Sequence, residues 1–163
     1  MLICSAMEHN TLIKQCLSAP GSFAGLMALY EQNYRLFKEL LGKSKVDNEE
    51  LVSRCSGHLP LRLQVLERFR YTTTYTLTYL FRDSGIPKTD PDLVIRVYDD
   101  AAMAEVLGIG GEEVLRAKGG PRNQLDAWVL ERKWQLNRFL EKWLEYCLKC
   151  GHCFSEPVEP IAY

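Results

Sequence analysis

The sequence has little net charge and no long apolar run, and both absences restrict what the protein does. Its 20 Lys+Arg and 21 Asp+Glu leave a formal net charge of -1, which disfavours a nucleic-acid binder that works through bulk positive charge. The longest apolar run covers 23–30 and contains Gly25, whereas a membrane span needs about 20 apolar residues. We therefore predict a soluble protein with neither a membrane nor a nucleic acid as its partner.

The N-terminus lacks the uninterrupted apolar stretch of a secretory signal peptide. Such a stretch has about 7–15 apolar residues, and here it is broken by Glu8, His9, Asn10 and Lys14. A cytoplasmic location is therefore predicted. Thiols are normally reduced in that compartment, so the six cysteines are expected to be free, buried or metal-bound.

Recognisable catalytic and phosphate-binding motifs are also absent from the sequence. The glycine-rich segment 108–111 is followed by Glu112 and Glu113, which would repel a phosphate, and the Lys-Ser/Thr pair of a phosphate loop is missing. With His9, His58 and His152 as its only histidines, the sequence shows no convincing Ser-His or Cys-His constellation. These absences favour a protein that is not an enzyme.

Two amphipathic helices are clearly present. In 22–41 apolar residues recur at spacings of three and four, Ser22 can cap the start, and Gly42 follows the end. The segment 124–149 carries a continuous apolar stripe and ends before Gly151. The members of this stripe are Leu136, Phe139, Leu140, Trp143, Leu144, Cys147 and Leu148.

Between the helices the periodicity changes to the two-residue alternation of β-strands. In 61–81 the odd positions are mainly apolar or aromatic and the even positions are mainly Arg or Thr, so one face should be buried and the other polar. We predict a break near 70–73 and further strands at about 50–57, 93–98, 103–107 and 112–118. The segment 83–92 has two prolines and a glycine and is predicted to be a loop.

Together these elements predict an α+β fold. An antiparallel, curved meander sheet of five to six strands is flanked by an N-terminal helix and a long C-terminal amphipathic helix, which cover its apolar face. The predicted organisation is an N-terminal extension at 1–21, a single domain at 22–151 and an irregular tail at 152–163.

Three motifs in the same order resemble the YqiB-like family of small bacterial cytoplasmic proteins of unknown function. They are Glu67…Arg70-Tyr71-Thr72-Thr73, then Val94 to Val106 with Arg96, Tyr98 and Asp99, then Gln135-Leu136-Asn137 to Gly151 with Trp143 and Cys147. The resemblance covers about 24–151 and implies a bacterial cytosolic protein without an established activity. A His often stands in the family where this chain has Asp99.

The C-terminal cysteines form the first candidate site. Cys147, Cys150, His152 and Cys153 have spacings that suit zinc, or part of an iron–sulfur cluster. A more distant fourth ligand such as Cys55 or His58 is an alternative. Without this site we expect no cofactor, because Cys147 also fits the buried helix stripe and the other residues then lie at a frayed helix end.

Glu67 is the second candidate, because alternation places its carboxyl on the apolar face. A buried carboxyl must be paired or protonated, so Glu67 could serve as a general acid or base in a cleft with Arg70 and Asp99. The alternatives are a structural pair with Arg132 or Lys133 and a sheet end open to solvent.

The Arg/Thr face is the third candidate, and among the surfaces of the protein it is the first choice for binding, although an ordinary solvated sheet face is the preferred interpretation. Guanidinium groups suit phosphates and carboxylates, and this face carries Arg62, Arg68, Arg70, Arg82 and Arg96 with Tyr98 alongside. The leading hypothesis is a small cytosolic binding or regulatory module for a protein or a small anionic ligand, with homodimerisation left open. Its predicted ligand-binding residues are Glu67, Arg70, Tyr71, Arg96, Tyr98 and Asp99.

Overall fold

The computed structural model describes residues 21–44, 49–110, 112–113 and 122–154. In chain order the elements are α1 (Phe23–Leu41), β1 (Glu50–Ser53), β2 (Leu61–Arg68), β3 (Thr72–Asp83), β4 (Ile86–Tyr98), β5 (Met103–Ile109), β6 (Glu112–Glu113) and α2 (Arg122–Lys149). The strands form one antiparallel sheet in sequence order, which confirms the predicted α+β meander. The predicted extension before 21, the tail beyond 154 and the predicted strand residues 114–118 lie outside the described residues.

The helix ends follow the local signals in the sequence. Gly25 N–H donates to Ser22 Oγ at 3.0 Å at the start of α1, and Gly42, with φ of 63°, donates to Lys38 O at its end. Gly151, with φ of 90°, ends α2 in the same way. In the described part of the chain, neither helix combines the length and apolar character needed to cross a membrane.

The hydrophobic core lies between one face of the sheet and both helices. Cross-strand rows such as Leu63–Leu77–Leu93 supply the sheet side, and these residues are at most 1% exposed. From the helices come Phe37, Leu40, Leu140, Trp143 and Leu144. Phe139 was predicted in the apolar stripe but is 46% exposed. The buried face of α2 includes Asn137 and Glu141, so Phe139 lies at the margin of that face.

A buried asparagine pair binds the backbone of β5. In the described residues β6 pairs with Gly108 and Ile109, and the Val106 N–H donates to a side chain, Asn137 Oδ1, at 3.1 Å. Asn33 Nδ2 donates to the Asn137 carbonyl and side-chain oxygens at 3.1 and 3.3 Å. Both asparagines are fully buried, and buried polar groups are normally hydrogen-bonded in this way.

The predicted loop at 83–92 is wrong. β3 continues to Asp83 and β4 begins at Ile86, joined by Ser84 and Gly85 with φ of 52° and 83°, as in a tight hairpin turn. The prolines are tolerated because β5 pairs with β4 only from Leu93 onward. In the part of the chain that the structure describes, no strand pairs with segment 86–92 on that side, so a missing N–H there breaks no ladder.

A β-bulge in β2 overturns the predicted position of Glu67. Val65 pairs with Tyr75, but Glu67 pairs with Thr74, so Leu66 is an extra residue that reverses the faces beyond it. Glu67 therefore lies on the Arg/Thr face and Arg68 turns toward the helix side with Thr73. The prediction that Glu67 lies on the apolar face is wrong, because alternation alone does not reveal a bulge.

Candidate functional site

The predicted ligand-binding residues lie near one end of the sheet, where the β2–β3 and β4–β5 turns meet. Asp99 N–H donates to Tyr71 O at 2.8 Å and joins the two turns. The side chains nevertheless contact separate partners. The Arg70 guanidinium lies 5.0 Å from the centre of the Tyr71 ring, whereas Asp99 faces α1, where it binds Lys38 Nζ at 2.8 Å and Tyr34 OH at 3.1 Å.

Glu67 and Arg96 form an exposed polar pair on the outer face. Their closest charged atoms are 3.7 Å apart and the Glu67 side chain is 55% exposed, while Arg96 Nε donates to Thr74 Oγ1 at 3.2 Å. The hypothesis of an acid or base in a cleft depended on a buried carboxyl. Glu67 is solvated and paired, so its position gives no support to that chemistry.

Glu105 carries a buried carboxylate whose burial the sequence analysis did not predict. Tyr98 OH donates to Glu105 Oε1 at 2.7 Å and Lys133 Nζ lies 2.9 Å from Oε2, with Glu105 only 9% exposed. Burial by itself would raise the pKa of the Glu105 carboxyl. The Lys133 and Tyr98 hydrogen bonds and the Lys133 charge outweigh burial and hold this pKa below its usual value.

Glu105→Gln is expected to lower the free energy of unfolding at pH 7 by about 2 kcal/mol, the value of a charged hydrogen bond. The pKa of Glu105 is lower in the folded protein than in the unfolded chain, where it has the usual Glu value of 4.5. As the pH falls toward and below 4.5, the unfolded chain therefore binds more protons than the folded protein does. The wild type should therefore lose its advantage as the pH falls below this value. Urea unfolding from pH 7 to pH 3 measures the difference.

Glu145→Gln is the matched control for this prediction. Glu145 also pairs with a lysine of α2, at 3.0 Å, but both side chains are exposed, and such a pair contributes little. A pH-independent difference between wild type and Glu105→Gln would contradict the prediction.

The predicted metal ligands do not form a ready-made site. Cys147 is buried in the core, where its Sγ lies 3.3 Å from Tyr79 OH, and burial raises the pKa of its thiol to about 11. His152 lies instead against β1 and the β1–β2 turn, with Ser53 Oγ and Cys55 Sγ at 3.0 and 3.5 Å from its Nδ1. In the described segments, no three His, Cys, Asp or Glu side chains already surround a common point.

A cavity of about 670 Å³ opens where β1 ends, β2 begins and the β3–β4 hairpin extends beyond the sheet. We call it the basic cavity. Its lining residues are Arg54, Pro60, Arg62, Leu80, Phe81, Arg82, Pro87, Lys88 and Thr89. The cavity does not include Glu67 and Arg96, which lie further along the strands. Arg62, in the cavity wall, pairs with Thr78, whereas Glu67 pairs with Thr74.

The positive charge of the basic cavity is only partly compensated. Lys88 pairs with Asp83, but within the described ranges the guanidinium groups of Arg54, Arg62 and Arg82 form no ion pair. Arg62 Nε is buried and has no hydrogen-bond partner there. Such a donor costs free energy unless something accepts from it.

Sequence reasoning identified only half of these cations. Arg62 and Arg82 belong to the predicted Arg/Thr face, whereas Lys88 lies in the segment that was predicted to be a loop. Arg54 follows the short strand β1. These four side chains come together because β3 pairs with β4 along the whole hairpin. The two prolines of β4 are typical of a loop, so the sequence did not predict this pairing.

The chain matches the model of a protein family described as "Protein of unknown function (DUF1249)" over residues 35–153. It is 31% identical over 136 residues to the uncharacterized protein YqiB of Escherichia coli strain K12, covering 79% of this chain and 90% of YqiB. YqiB of the O6:H1 and O157:H7 strains gives the same values. No solved structure matches the chain.

Proposed function

This chain belongs to the DUF1249 family, as its resemblance to YqiB-like proteins predicted, and because that family's description states no function, we propose from the geometry that it binds a phosphorylated small molecule in the basic cavity. The observation that carries the proposal is the grouping of Arg54, Arg62 and Arg82 around one concavity without carboxylate partners in the described residues. Cations kept close together repel one another, and an anion between them removes that cost.

Phosphate suits these side chains better than a single carboxylate does. Guanidinium groups form paired hydrogen bonds to planar carboxylates and to phosphate oxygens, but three guanidiniums without carboxylate partners in the described residues match a group with several oxygens and more than one negative charge. The buried Arg62 Nε–H would gain an acceptor in the complex. Arg62 is therefore the residue on which binding should depend most.

The remaining walls of the cavity are apolar and suit the uncharged part of a ligand. Leu80, Phe81, Pro60 and Pro87 lie among the cations, and about 300–1,000 Å³ is the usual volume of a small-molecule site. This combination favours a compact metabolite with a phosphate at one end and an apolar or aromatic group at the other. A mononucleotide has these properties.

A long nucleic acid fits this arrangement less well. Its binding needs a basic surface that follows many phosphates, whereas the formal net charge is -1. Arg96 and Lys133, on the outer face and on α2, are already paired with Glu67 and Glu105. The cavity therefore favours a small ligand over a polymer.

The test is calorimetric titration of the full chain with adenosine 5′-monophosphate, pyrophosphate and citrate. We expect saturable binding of the two phosphates, weaker binding of citrate, and a loss of roughly 10- to 100-fold in affinity for Arg62→Ala, corresponding to about 1.5–3 kcal/mol for a charged hydrogen bond. Arg82→Ala should also weaken binding.

Arg70→Ala is the matched control, because it removes the same charge from a turn at the other end of the sheet. Its affinity should equal that of the wild type. Equal losses for Arg70→Ala and Arg62→Ala would indicate only general charge attraction. Failure of all three compounds to saturate the wild type at millimolar concentration would overturn the proposal.

A further inference from the structure

A thiol and an imidazole from distant parts of the chain meet beside β1. Cys55 follows β1, and His152 follows the end of α2, yet Cys55 Sγ and His152 Nδ1 are 3.5 Å apart. His152 is 2% exposed, so its ring is held in place. In the described residues its other nitrogen, Nε2, has no hydrogen-bond partner.

Two further potential ligands lie next to this pair. His58 N–H donates to Cys55 O at 3.2 Å in a tight turn through Gly57, and the His58 ring centre is 6.4 Å from that of His152. Cys153 N–H donates to Ser53 Oγ at 3.1 Å, which places its backbone beside the same strand. His58 and Cys153 are both exposed.

We propose that Cys55, His58, His152 and Cys153 bind one zinc ion. A tetrahedral zinc ion with bonds of about 2.3 Å to sulfur and about 2.0 Å to nitrogen holds those two atoms about 3.5 Å apart. Cys55 and His152 already have this separation, so they form the fixed half of the site. The exposed side chains of His58 and Cys153 complete it by rotation.

The spacing of the ligands supports this assignment. Cys55-x-x-His58 has the two-residue separation typical of one ligand pair in structural zinc sites, and the turn at Gly57 brings its two ends together. The two imidazole rings lie edge to face, 63° apart, and within the described residues neither forms an ion pair with a carboxylate. A neutral imidazole is the form in which histidine binds a metal ion.

Ser53 orients the buried ring for this role. Its hydroxyl lies 3.0 Å from His152 Nδ1 and also accepts the Cys153 amide. When zinc binds His152 Nδ1, the Ser53 hydroxyl no longer donates to that nitrogen, but its oxygen still accepts from the Cys153 N–H. The ion then joins the β1–β2 turn to the end of α2, two segments about 95 residues apart in the chain.

The ligand set differs from the one that the Cys-x-x-Cys spacing favoured. Cys147 is packed in the core against Tyr79, and Cys150 lies next to Tyr146, whose pKa is raised by a hydrogen bond with the Cys150 thiol. Cys150 is therefore available as a matched control, since Cys150→Ser removes a neighbouring thiol outside the proposed set.

The test is a titration of the full chain with Zn²⁺ and with Co²⁺ under reducing conditions. We expect one equivalent of metal, a Co²⁺ absorption spectrum of tetrahedral type with a thiolate charge-transfer band, and a loss of roughly 100-fold or more in zinc affinity for Cys55→Ser and His58→Ala, because each removes a direct ligand. Cys150→Ser should retain wild-type affinity.

Circular dichroism of each variant separates a lost ligand from a lost fold. His58 is exposed, so His58→Ala should keep the fold even if a substitution of the buried His152 does not. The assignment would be overturned if the wild type did not bind one equivalent of zinc. It would also be overturned if Cys150→Ser lost zinc binding while Cys55→Ser kept the wild-type affinity. Anion binding in the basic cavity is measured separately and is unaffected by either result.

Discussion

Asn137→Ala is expected to lower the free energy of unfolding by about 3–5 kcal/mol, since it removes three buried hydrogen bonds at once and leaves the Val106 N–H without its acceptor. Asn137 Oδ1 accepts from the Val106 N–H at the edge of β5 and from Asn33 Nδ2. Its own Nδ2 donates to Lys133 O at 2.8 Å. Alanine removes all three hydrogen bonds.

The cost is large because water cannot replace the lost side chain. Asn33 and Asn137 are both fully buried, and a buried donor without an acceptor costs about 1–3 kcal/mol. Val106 N–H loses its acceptor, Asn33 Nδ2 keeps the Asn137 backbone carbonyl as an acceptor, and a small cavity forms.

Urea unfolding followed by circular dichroism measures this effect. Gln135→Ala is the matched control, because Gln135 is an exposed amide on the same helix whose Nε2 donates to Glu131 Oε1 at 3.4 Å. We expect the control to change stability by less than about 0.5 kcal/mol. A loss below about 1 kcal/mol for Asn137→Ala would show that the β5 edge does not depend on this side chain.

Phe37→Ala should be comparably destabilising, by about 3–5 kcal/mol. Phe37 is 1% exposed, and its ring centre lies 5.1 Å from that of Tyr75 on the sheet. Truncation removes the hydrophobic contribution of the ring and leaves a cavity between α1 and β3, because close-packed surroundings relax only in part.

Phe23→Ala provides the control for this second prediction. Phe23 begins the same helix but is 69% exposed, so the same substitution should change stability by less than about 0.5 kcal/mol. Chemical unfolding of both variants in parallel gives the difference directly. Equal effects for the two phenylalanines would mean that α1 does not pack on the sheet through Phe37.

The sequence predicted the elements that depend on local patterns. Both helices were identified by their apolar spacing, and α1 by Ser22 and Gly42 at its ends, because caps and periodicity are properties of neighbouring residues. The break between β2 and β3 was also placed correctly. The inward faces of Leu63 and Leu77 followed from alternation, which holds wherever a strand is regular.

The errors in the fold arise where pairing between strands overrides a local pattern. Leu66 is inserted against β3, so every later residue of β2 changes face, including Glu67. Pro87 and Pro91 suggest a loop, yet they lie in a hairpin arm that, among the described residues, pairs with a strand on one side only. Neither feature is visible without knowing which strand lies alongside.

The candidate sites show the same division. Arg62 and Arg82 were recognised as cations on the polar face, but their grouping with Arg54 and Lys88 depends on the extended hairpin. Cys55 and His58 were considered only as distant ligands for a cluster centred on Cys147. The position of His152 beside Cys55 depends on how α2 ends against β1.

By itself the sequence determined the type of each main element, the capping of its helices and most of its buried face, because these follow from interactions among residues close together in the chain. The tertiary structure decided which charged groups form pairs, which carboxylates are buried, and which thiol lies beside an imidazole. Those outcomes depend on contacts between residues up to about 100 positions apart, and a single bulge or an open strand edge is enough to change them.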